Sequence, residues 1–372
     1  MRDGEQSTYF LARDIIRFLH LDVVLFLLLL VLISVGLVVL YSAGGESRVL
    51  MSNQGIRLAL AMVGMMVIAQ IPPAVLRRWS PWLYLVGVGL LLAVLLAGEM
   101  GKGAQRWLDL GVVRFQPSEM MKLAVPMMVA WYFADRPLPP RVLELMLSGL
   151  LVIVPMLLIA KQPDLGTALL VGSAGVFAIF LAGIRWRILI GLGLTAVAMA
   201  PVLWHFMHEY QRQRVLTLLS PESDPLGSGY HIIQSKIAIG SGGVYGKGWL
   251  NGTQSQLDFL PERSTDFIFA VFGEEFGLLG AILLILLYVA IIFRGLYIAV
   301  YAQDTYSRLL AGSLSLTFFV YLFVNTGMVI GLLPVVGVPL PLVSYGGTSL
   351  VTLMAAFGML MSIQSHRRLL VH

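Results

Sequence analysis

Uncharged or nearly uncharged apolar runs recur along almost the whole chain and are separated by short polar gaps. The first covers residues 23–45, after a polar segment that contains arginines. Nine more lie at about 58–76, 81–98, 118–134, 142–160, 165–184, 188–206, 267–293, 309–331 and 340–364. A helix of about 20 apolar residues spans a bilayer, and the period-2 alternation of a membrane β-barrel is absent. We therefore predict an all-α polytopic membrane protein, a bundle of ten transmembrane helices.

A cleaved signal peptide is the alternative for the first run, because Ser42, Ala43 and Gly44 are small enough for a cleavage site. The run is longer than the apolar core of a typical signal peptide, and further spans follow it. We expect a retained first helix and a single membrane domain over residues 1–372.

Composition supports a membrane protein. Hydrophobic residues make up 58% of the chain and charged residues 12%, whereas soluble domains carry about 25% charged residues. The net charge of +5 is compatible with nucleic-acid binding, but in an apolar chain basic residues more often mark cytoplasmic loops and contacts with anionic lipids. We therefore expect membrane lipids, and no nucleic acid, as partners. The absence of cysteine excludes disulfides and thiolate metal sites.

The basic residues predict the orientation. An even number of spans places both termini on one side of the membrane. If that side is cytoplasmic, the inner segments hold the arginines that the positive-inside rule expects there. These arginines are Arg2, Arg13, Arg17, Arg77, Arg78, Arg136, Arg141, Arg185, Arg187, Arg294, Arg308, Arg367 and Arg368. Residues 1–22 and 365–372 are then cytoplasmic tails. The lysines lie on the outer side or in helix ends that face it, which suggests a role in binding: Lys102, Lys122, Lys161, Lys236 and Lys247.

The longest polar stretch, residues 207–266, is predicted to be a large periplasmic loop between helices seven and eight. Long loops in compact proteins are often functional, and an amphipathic piece at about 230–239 is expected on the membrane surface. Asp258, Glu262, Arg263 and Asp266 fall within nine residues at its end, where the chain re-enters an apolar run. Asp266 would cap the next helix, serve as a general base, or do both; it is also a possible metal ligand.

Two pairs of charges lie within predicted helices. Glu119 and Lys122 share one helical face at the start of the fourth helix, and an intramembrane pair of this kind points to a polar cavity. Glu274 and Glu275 lie two turns into the eighth helix, where an interior network and catalysis are equally good explanations.

Three further stretches carry weaker signals. Lys161 and Asp164 form a short outer turn in which Asp164 can cap the next helix, on the same side as Asp266. Glycine-rich stretches at 101–107 and 240–247 do not match a Walker loop. Residues 334–347 interrupt the path between helices nine and ten, and non-helical backbone at that depth is tolerated only inside protein or against a cavity.

Together, cations beside carboxylates suit an anionic, lipid-linked or phosphorylated substrate, which the protein would either transform or carry across the membrane.

The motifs closely resemble those of the SEDS family of bacterial shape, elongation, division and sporulation proteins, over essentially the whole chain and more in the manner of its elongation members than of its division members. They are Gly103-Ala-Gln-Arg-Trp-Leu-Asp-Leu110, Phe115-Gln-Pro-Ser-Glu119, Gln162-Pro-Asp-Leu-Gly-Thr167, Tyr210-Gln-Arg-Gln-Arg214, Asp224-Pro-Leu-Gly227, Gly229-Tyr-His-Ile-Ile-Gln-Ser-Lys236, Phe259-Leu-Pro-Glu-Arg-Ser-Thr-Asp-Phe-Ile-Phe269 and Pro339-Leu-Pro-Leu-Val-Ser-Tyr-Gly-Gly347.

This resemblance implies a peptidoglycan glycosyltransferase of the bacterial inner membrane that polymerises lipid II on the periplasmic side and works with a class B penicillin-binding protein. It maps the family's essential aspartate onto Asp266, as general base, and the family's polar helix-four pair onto Glu119 and Lys122.

The resemblance also implies a divalent cation, Mg²⁺ or Mn²⁺, beside the diphosphate of the leaving group. Candidate ligands of that diphosphate are Arg212, Arg214, Lys122 and Lys236. The alternatives to an enzyme are a lipid II flippase and a non-enzymatic scaffold of the elongation complex.

Overall fold

The computed structural model describes residues 20–101, 104–109, 114–206, 209–223, 227–257, 259–260 and 262–366. Predictions that concern most of the two tails, and those for Lys102 and Asp258, lie outside these residues.

The described residues form thirteen α-helices and a small sheet. The helices are α1 (Val23–Ala43), α2 (Arg48–Ala69), α3 (Pro73–Ala97), α4 (Pro117–Phe133), α5 (Val142–Lys161), α6 (Leu165–Leu181), α7 (Trp186–Phe206), α8 (Glu209–Leu219), α9 (Ser228–Gly242), α10 (Thr253–Gln256), α11 (Ile268–Val300), α12 (Thr305–Val329) and α13 (Thr348–Ser365). The strands are β1 (Glu99–Gly101), β2 (Ala104–Asp109) and β3 (Arg114–Phe115).

The prediction of a mostly helical membrane protein is confirmed. Each of the ten predicted apolar ranges overlaps a helix. Among the described residues, seven helices are long and apolar enough to cross a membrane: α1, α2, α3, α5, α11, α12 and α13. Helix α6 is apolar but shorter.

Helix α12 lies at the centre of the bundle, packed against α4, α6, α11 and α13. It begins at Asp304, whose carboxylate accepts a hydrogen bond from the backbone N–H of Ser307 at 2.9 Å. This cap satisfies a donor that a helix start leaves unpaired. The Ser313 hydroxyl donates to the carbonyl of Ala174 on α6 at 2.6 Å, a type of interhelical bond that supports packing in membranes.

Helix α11 is broken at Gly277, where φ is 66° and ψ is −165°. The break leaves backbone groups without helical partners, and the loop after α9 supplies them. The amide of Leu278 donates to the carbonyl of Gly243 at 2.9 Å, and the carbonyl of Glu274 accepts from the amide of Lys247 at 3.0 Å. The eighth predicted helix is present, but it consists of two helical segments that meet at Gly277, and the loop after α9 binds the backbone at the break.

The three strands form an antiparallel sheet in the order β1-β2-β3. Glu99 pairs with Trp107, and Leu108 with Phe115. The glycine-rich stretch 101–107, considered above as a weak phosphate motif, contributes to this sheet. The sheet lies between α3 and α4 in the chain and packs against both helices.

The predicted large loop is itself largely helical, since it contains α8, α9 and α10. The amphipathic piece expected on the membrane surface is α9, which packs against α11 and α12. The Ser235 hydroxyl of α9 donates to the carbonyl of Val329 at the end of α12, at 2.7 Å. Helix α9 thus packs onto the bundle rather than extending away from it.

Residues 334–347 are non-helical, as predicted from their prolines and glycines. Side chains satisfy two of their backbone groups. The Tyr288 hydroxyl of α11 donates to the carbonyl of Pro341 at 2.6 Å, and within the segment the amide of Leu340 donates to the Ser344 hydroxyl at 2.8 Å. Irregular backbone inside a membrane protein requires partners of this kind. We call residues 334–347 the interior loop.

Candidate functional site

Asp266 lies one residue before the N-cap of α11. The N-cap is Phe267, whose side chain makes no capping hydrogen bond, so Asp266 is not the N-cap that the sequence suggested. Asp266 is half-buried and faces the interior loop, because a Cβ on Gly337 would lie 3.6 Å from its Oδ2. Gly337 has φ +75°, a conformation that favours glycine. The carboxylate therefore lies where the re-entering chain meets the interior loop.

The turn before α11 and the interior loop are joined by hydrogen bonds. The Ser344 hydroxyl donates to the carbonyl of Thr265 at 2.6 Å, and the amide of Tyr345 donates to the carbonyl of Ser264 at 2.8 Å. These bonds hold the backbone of the two residues that precede Asp266 against the interior loop.

Asn325 of α12 adds a third connection. Its side-chain amide donates to the carbonyl of Asp266 and to the carbonyl of Val338, each at 2.8 Å. Asn325 is completely buried, so both bonds are shielded from water and are costly to lose. Sequence analysis did not single out Asn325; its one signal was a polar side chain within an apolar run.

The predicted pair on α4 is present. Lys122 Nζ donates to Glu119 Oε1 at 2.7 Å, and both side chains are buried. The ammonium group lies 5.3 Å from the ring centroid of Tyr321 on α12, one turn before Asn325. Glu119 Oε2 is buried without a hydrogen-bond partner among the described residues. The pair therefore lies in the interior of the bundle, close to α12, and one carboxylate oxygen accepts no hydrogen bond from the described residues.

Asp164 has two roles in the structure. Its Oδ1 accepts from the amide of Thr167 at 3.3 Å, which caps α6 as predicted. Its Oδ2 accepts from Gln116 Nε2 at 3.0 Å and lies 4.0 Å from Arg106 Nε. Gln116 immediately precedes α4, so this contact brings the carboxylate to the start of the helix that carries Glu119.

Arg106 was missed as a site residue. It lies on β2 and donates to the carbonyls of Gln162 and Pro163 as well as facing Asp164. The Gln162 side chain donates in turn to the carbonyl of Leu91 at 3.0 Å. The only sequence feature that pointed to Arg106 was its place in the motif Gly103–Leu110. Nothing in the sequence indicates that a strand residue contacts a turn about 57 positions later.

A close backbone approach connects the start of α6 to the interior loop. A Cβ on Gly166 would lie 2.7 Å from the carbonyl oxygen of Val336. Val336 immediately precedes Gly337, which faces Asp266. Asp266 therefore faces the interior loop directly, and Asp164 lies at the start of the helix that meets this loop at Gly166. The pair on α4 lies against α12, the helix that also contacts the loop through Asn325.

Arg57 of α2 is a second cation that sequence analysis missed. Its guanidinium carbon lies 4.7 Å from the ring centroid of Tyr345. A cation stacked on an aromatic face is attracted by the ring, and the contact brings Arg57 to the interior loop near the start of α13. The charge lies nine residues inside α2, at a depth where arginine is rarely found without a role.

Glu262 and Arg263 make local contacts. Glu262 is exposed, and its Oε2 accepts from the Thr265 hydroxyl at 2.8 Å. Arg263 donates to the carbonyl of Ser255, which ties the turn before α11 to α10. Both residues support the turn that presents Asp266.

The remaining predicted cations lie farther out. Lys161 is exposed at the end of α5. Lys236 is exposed on α9, with its side chain against Gly331 just past the end of α12. Arg212 donates to the carbonyls of Trp204 and His205 at the end of α7, at 2.9 and 2.6 Å, and Arg214 lies on the same helix as Arg212.

Glu274 belongs to an interior network. It is completely buried and accepts from Lys247 Nζ at 2.7 Å, from the Thr253 hydroxyl at 3.0 Å and from the amide of Gln254 at 3.0 Å. Glu275 bonds instead to Ser42 of α1. For Glu274 the structural explanation accounts for every contact, because its carboxylate fixes the loop that fills the break in α11.

The described residues contain no group of three or more His, Cys, Asp or Glu side chains that could hold a metal ion. The described residues around Asp266 therefore do not supply three such ligands by themselves. Mg²⁺ is often held by one or two carboxylates together with substrate phosphates. We assign no reaction step to a metal.

Fold and site together define a multi-pass helical membrane protein with carboxylates and cations gathered around an irregular interior segment. A family model described as cell cycle protein, for FtsW, RodA and SpoVE, matches residues 15–369. The chain belongs to this family, the SEDS family that its motifs resemble.

Individual relatives agree with the family assignment. Peptidoglycan glycosyltransferase MrdB of Escherichia coli strain K12 is 58% identical over 331 residues, which cover 88% of this chain and 89% of that protein. The crystal structure of the rod shape determining protein RodA from Thermus thermophilus superposes with a TM-score of 0.70 at 29% identity, covering 92% of this chain and 96% of that one. A chain from a study of the structural coordination of polymerization and crosslinking by a peptidoglycan synthase complex superposes with a TM-score of 0.81 at 31% identity, covering 92% and 97%.

Proposed function

We propose that this chain is a peptidoglycan glycosyltransferase that joins the disaccharide units of lipid II into glycan strands during cell elongation. The similarity to MrdB over most of both chains supports the activity. The observation that carries the proposal for the site is the position of Asp266, whose half-buried carboxylate faces the interior loop and whose backbone carbonyl accepts a hydrogen bond from Asn325. Its backbone is fixed, which is what a residue that must meet a reacting group requires.

The proposed reaction is a single displacement. The 4-hydroxyl of one lipid II attacks the anomeric carbon of the lipid-linked chain, a new C–O bond forms, and the bond between that carbon and the diphosphate breaks. An α-linked donor then gives a β-1,4 product, so one inversion suffices. Asp266 accepts the proton of the attacking hydroxyl as general base, and undecaprenyl diphosphate departs with the bonding electrons.

The leaving diphosphate requires positive charge nearby. Lys122 is the best-placed of the predicted ligands, because its ammonium group is buried between α4 and α12. Arg57 joins it as a candidate through its contact with the interior loop. Lys236, Arg212 and Arg214 remain predicted ligands from the outer helices, and a divalent cation remains a prediction from the family resemblance.

Glu119 is proposed to organise the cavity. It holds Lys122 through one oxygen, and its second oxygen can accept a hydrogen bond from a substrate hydroxyl or amide. Asp164 and Arg106 support the opposite side of the interior loop through the start of α6.

For topology, we propose ten spans in one domain of residues 1–372, with the tails 1–22 and 365–372 in the cytoplasm. Segment 207–266 and the site at Asp266 then face the periplasm, where lipid II is polymerised. The distribution of arginines supports this orientation.

A class B penicillin-binding protein is the proposed partner, since polymerised strands must be crosslinked. The similarity to a chain from a peptidoglycan synthase complex, in which polymerization and crosslinking are coordinated, supports this assignment.

The test is glycan formation from purified lipid II by the protein with its partner, comparing wild type with Asp266→Asn at matched expression and complex formation. Glu144→Gln is the matched control, because Glu144 lies in the first turn of α5, at the opposite end of that helix from Asp164. The glutamine side chain also keeps an oxygen that can accept the hydrogen bond from the backbone N–H of Arg141. We expect polymer from the wild type and the control and none from Asp266→Asn. Polymer from Asp266→Asn would remove Asp266 from the chemistry.

The same experiment addresses the alternatives. If neither wild type nor mutant forms polymer, lipid II transport in vesicles distinguishes a flippase, in which Asp266→Asn alters transport, from a scaffold, in which it changes nothing.

A further inference from the structure

A cavity of about 360 Å³ lies at the end of the bundle opposite Asp266. Its walls come from the start of α3, the end of α4 and the start of α12, and they include Arg77, Arg78, Trp131 and Tyr306. A second cavity of about 380 Å³ shares Arg78.

This end of the bundle is remote from the site described above. Tyr306 and Asn325 are 19 residues apart on α12, which at 1.5 Å per residue is roughly 28 Å. The hydrocarbon core of a bilayer is about 30 Å thick. The two cavities and Asp266 therefore lie near opposite faces of the membrane.

Every charged side chain that lines the first cavity has an ion-pair or hydrogen-bond partner among the described residues, with the exception of Arg78. Arg77 forms an ion pair with Asp135. Asp304 accepts from both the amide and the hydroxyl of Ser307, at 2.9 and 2.7 Å. Arg78 is exposed and forms no ion pair or hydrogen bond within the part of the chain that the structure describes. Arg78 is thus the cation at this place that is available to a ligand.

Two other cations lie near this end of the bundle. Arg136 stacks on the ring of Tyr132, 3.6 Å from its centroid, and Arg308 is exposed one turn after Asp304. Their positive charges favour an anion at Arg78, and the nearby carboxylate of Asp135 is paired with Arg77.

Aromatic side chains flank Arg78 on the surface. The second cavity is lined by Arg78, Trp79 and Trp82, and the two tryptophans are 57% and 64% exposed. Exposed tryptophans are typical of the interface between hydrocarbon and headgroups, where an apolar ring meets a polar boundary. A cation next to such rings matches a ligand that has an anionic head and an apolar tail.

We propose that Arg78, with Trp131 beside it and Trp79 and Trp82 below it, binds the phosphate headgroup of an anionic phospholipid. The phosphate lies on Arg78 at the mouth of the first cavity, and the acyl chains run along the two tryptophans. The positive-inside rule accounts for arginines in this loop, but it requires neither two cavities nor the flanking tryptophans. The site is independent of the glycosyltransferase reaction.

The test uses the purified full-length protein in detergent, titrated with cardiolipin or with phosphatidylcholine and observed by native mass spectrometry. Wild type is expected to bind cardiolipin in preference to phosphatidylcholine. Arg78→Gln is expected to lower cardiolipin affinity about fivefold, the contribution of one basic residue near an anionic lipid surface. Trp82→Ala should weaken binding of both lipids.

Arg185→Gln is the matched control, because Arg185 is an exposed arginine in the turn between α6 and α7 and lines neither cavity. It should bind cardiolipin as the wild type does. Melting temperatures of all variants verify that they are folded. Equal cardiolipin binding by wild type and Arg78→Gln would overturn the proposal. Competition by inorganic phosphate at the same concentration as cardiolipin would overturn it too, because the site would then take a free anion.

Discussion

The side-chain amide of Asn325 donates to the backbone carbonyl of Asp266 at 2.8 Å while its second hydrogen bonds the carbonyl of Val338. One buried residue of α12 thus sets the separation between the turn that carries Asp266 and the interior loop. Tyr321, one turn earlier on the same helix, faces Lys122. Helix α12 is therefore the common support of both carboxylate-bearing parts of the site.

Replacement of Asn325 by leucine tests this support. The variant keeps the approximate side-chain volume but leaves two buried carbonyls without donors, which costs about 1–3 kcal/mol for each buried group. We expect the melting temperature to fall, and polymerisation to fall further than the loss of folded protein explains. The measurement is the polymerisation rate per folded molecule; a rate equal to that of the wild type would show that Asp266 does not depend on this support.

The pair Glu119 and Lys122 can be examined by a double-mutant cycle. Removing one partner of a buried ion pair leaves an uncompensated charge and costs about 3–5 kcal/mol, so Lys122→Met alone should be strongly destabilising. Glu119→Gln together with Lys122→Met should recover most of that stability, because neither charge remains. We expect polymerisation to stay low in the stable double variant, since the cation for the diphosphate is gone.

Thermal unfolding and polymerisation of the four proteins provide the two readouts. If the double variant recovers stability and activity together, the pair is structural only, and the diphosphate must be bound elsewhere.

Local patterns predicted much of this molecule. Apolar runs located the helices, prolines and glycines predicted the interior loop, and the spacing of Glu119 and Lys122 predicted their contact. Asp164 caps α6, as a carboxylate before an apolar run suggests. Each of these features depends on residues that are close together in the sequence, and for that reason each could be predicted from the sequence alone.

Features that depend on contacts between residues far apart in the sequence could not be predicted from the sequence. The break at Gly277 lies inside a predicted helix, and it is stabilised by a loop about 30 residues earlier in the chain. Arg106 meets Asp164 only because the sheet folds back towards the turn between α5 and α6. Capping of α11 was one of the two roles considered for Asp266, but the helix begins one residue later and the carboxylate faces Gly337.

Arg106 connects the sheet to the turn before α6, and its replacement by lysine should loosen that connection. A guanidinium reaches several acceptors at once, whereas an ammonium group is a single point of charge. We expect faster hydrogen exchange at residues 104–109 and a polymerisation rate reduced about tenfold, corresponding to roughly 1.4 kcal/mol in the barrier. Arg141→Lys, on an exposed turn, is the control. Unchanged exchange in Arg106→Lys would contradict the proposed connection.

Gly277→Ala tests the break in α11. The backbone there adopts a conformation that is essentially confined to glycine, and a Cβ would lie 2.3 Å from the amide nitrogen of Gly246. We expect loss of folded protein from the membrane, with a destabilisation of at least about 3 kcal/mol. The matched control is Gly89→Ala on α3, where a Cβ meets nothing within 4 Å and alanine should be tolerated. Wild-type yield and melting temperature for Gly277→Ala would show that the segment can close into a continuous helix.

The two outer cations Lys236 and Arg212 should respond differently to neutralisation. Arg212 binds carbonyls at the end of α7, so Arg212→Gln leaves a helix end without its partner and should lower the melting temperature. Lys236 is exposed on α9, and its position past the end of α12 is worth only about 0.3–1 kcal/mol to that helix. If Lys236 contacts the diphosphate, Lys236→Gln should raise the KM for lipid II about tenfold with little change in melting temperature.

Initial rates of glycan formation over a range of lipid II concentrations, with melting temperatures of the same preparations, separate these effects. Lys236→Arg retains the charge and should restore the KM. An unchanged KM in Lys236→Gln would leave Lys122 and Arg57 as the cations for the leaving group, and a raised KM in a fully stable Arg212→Gln would extend the diphosphate site to α8.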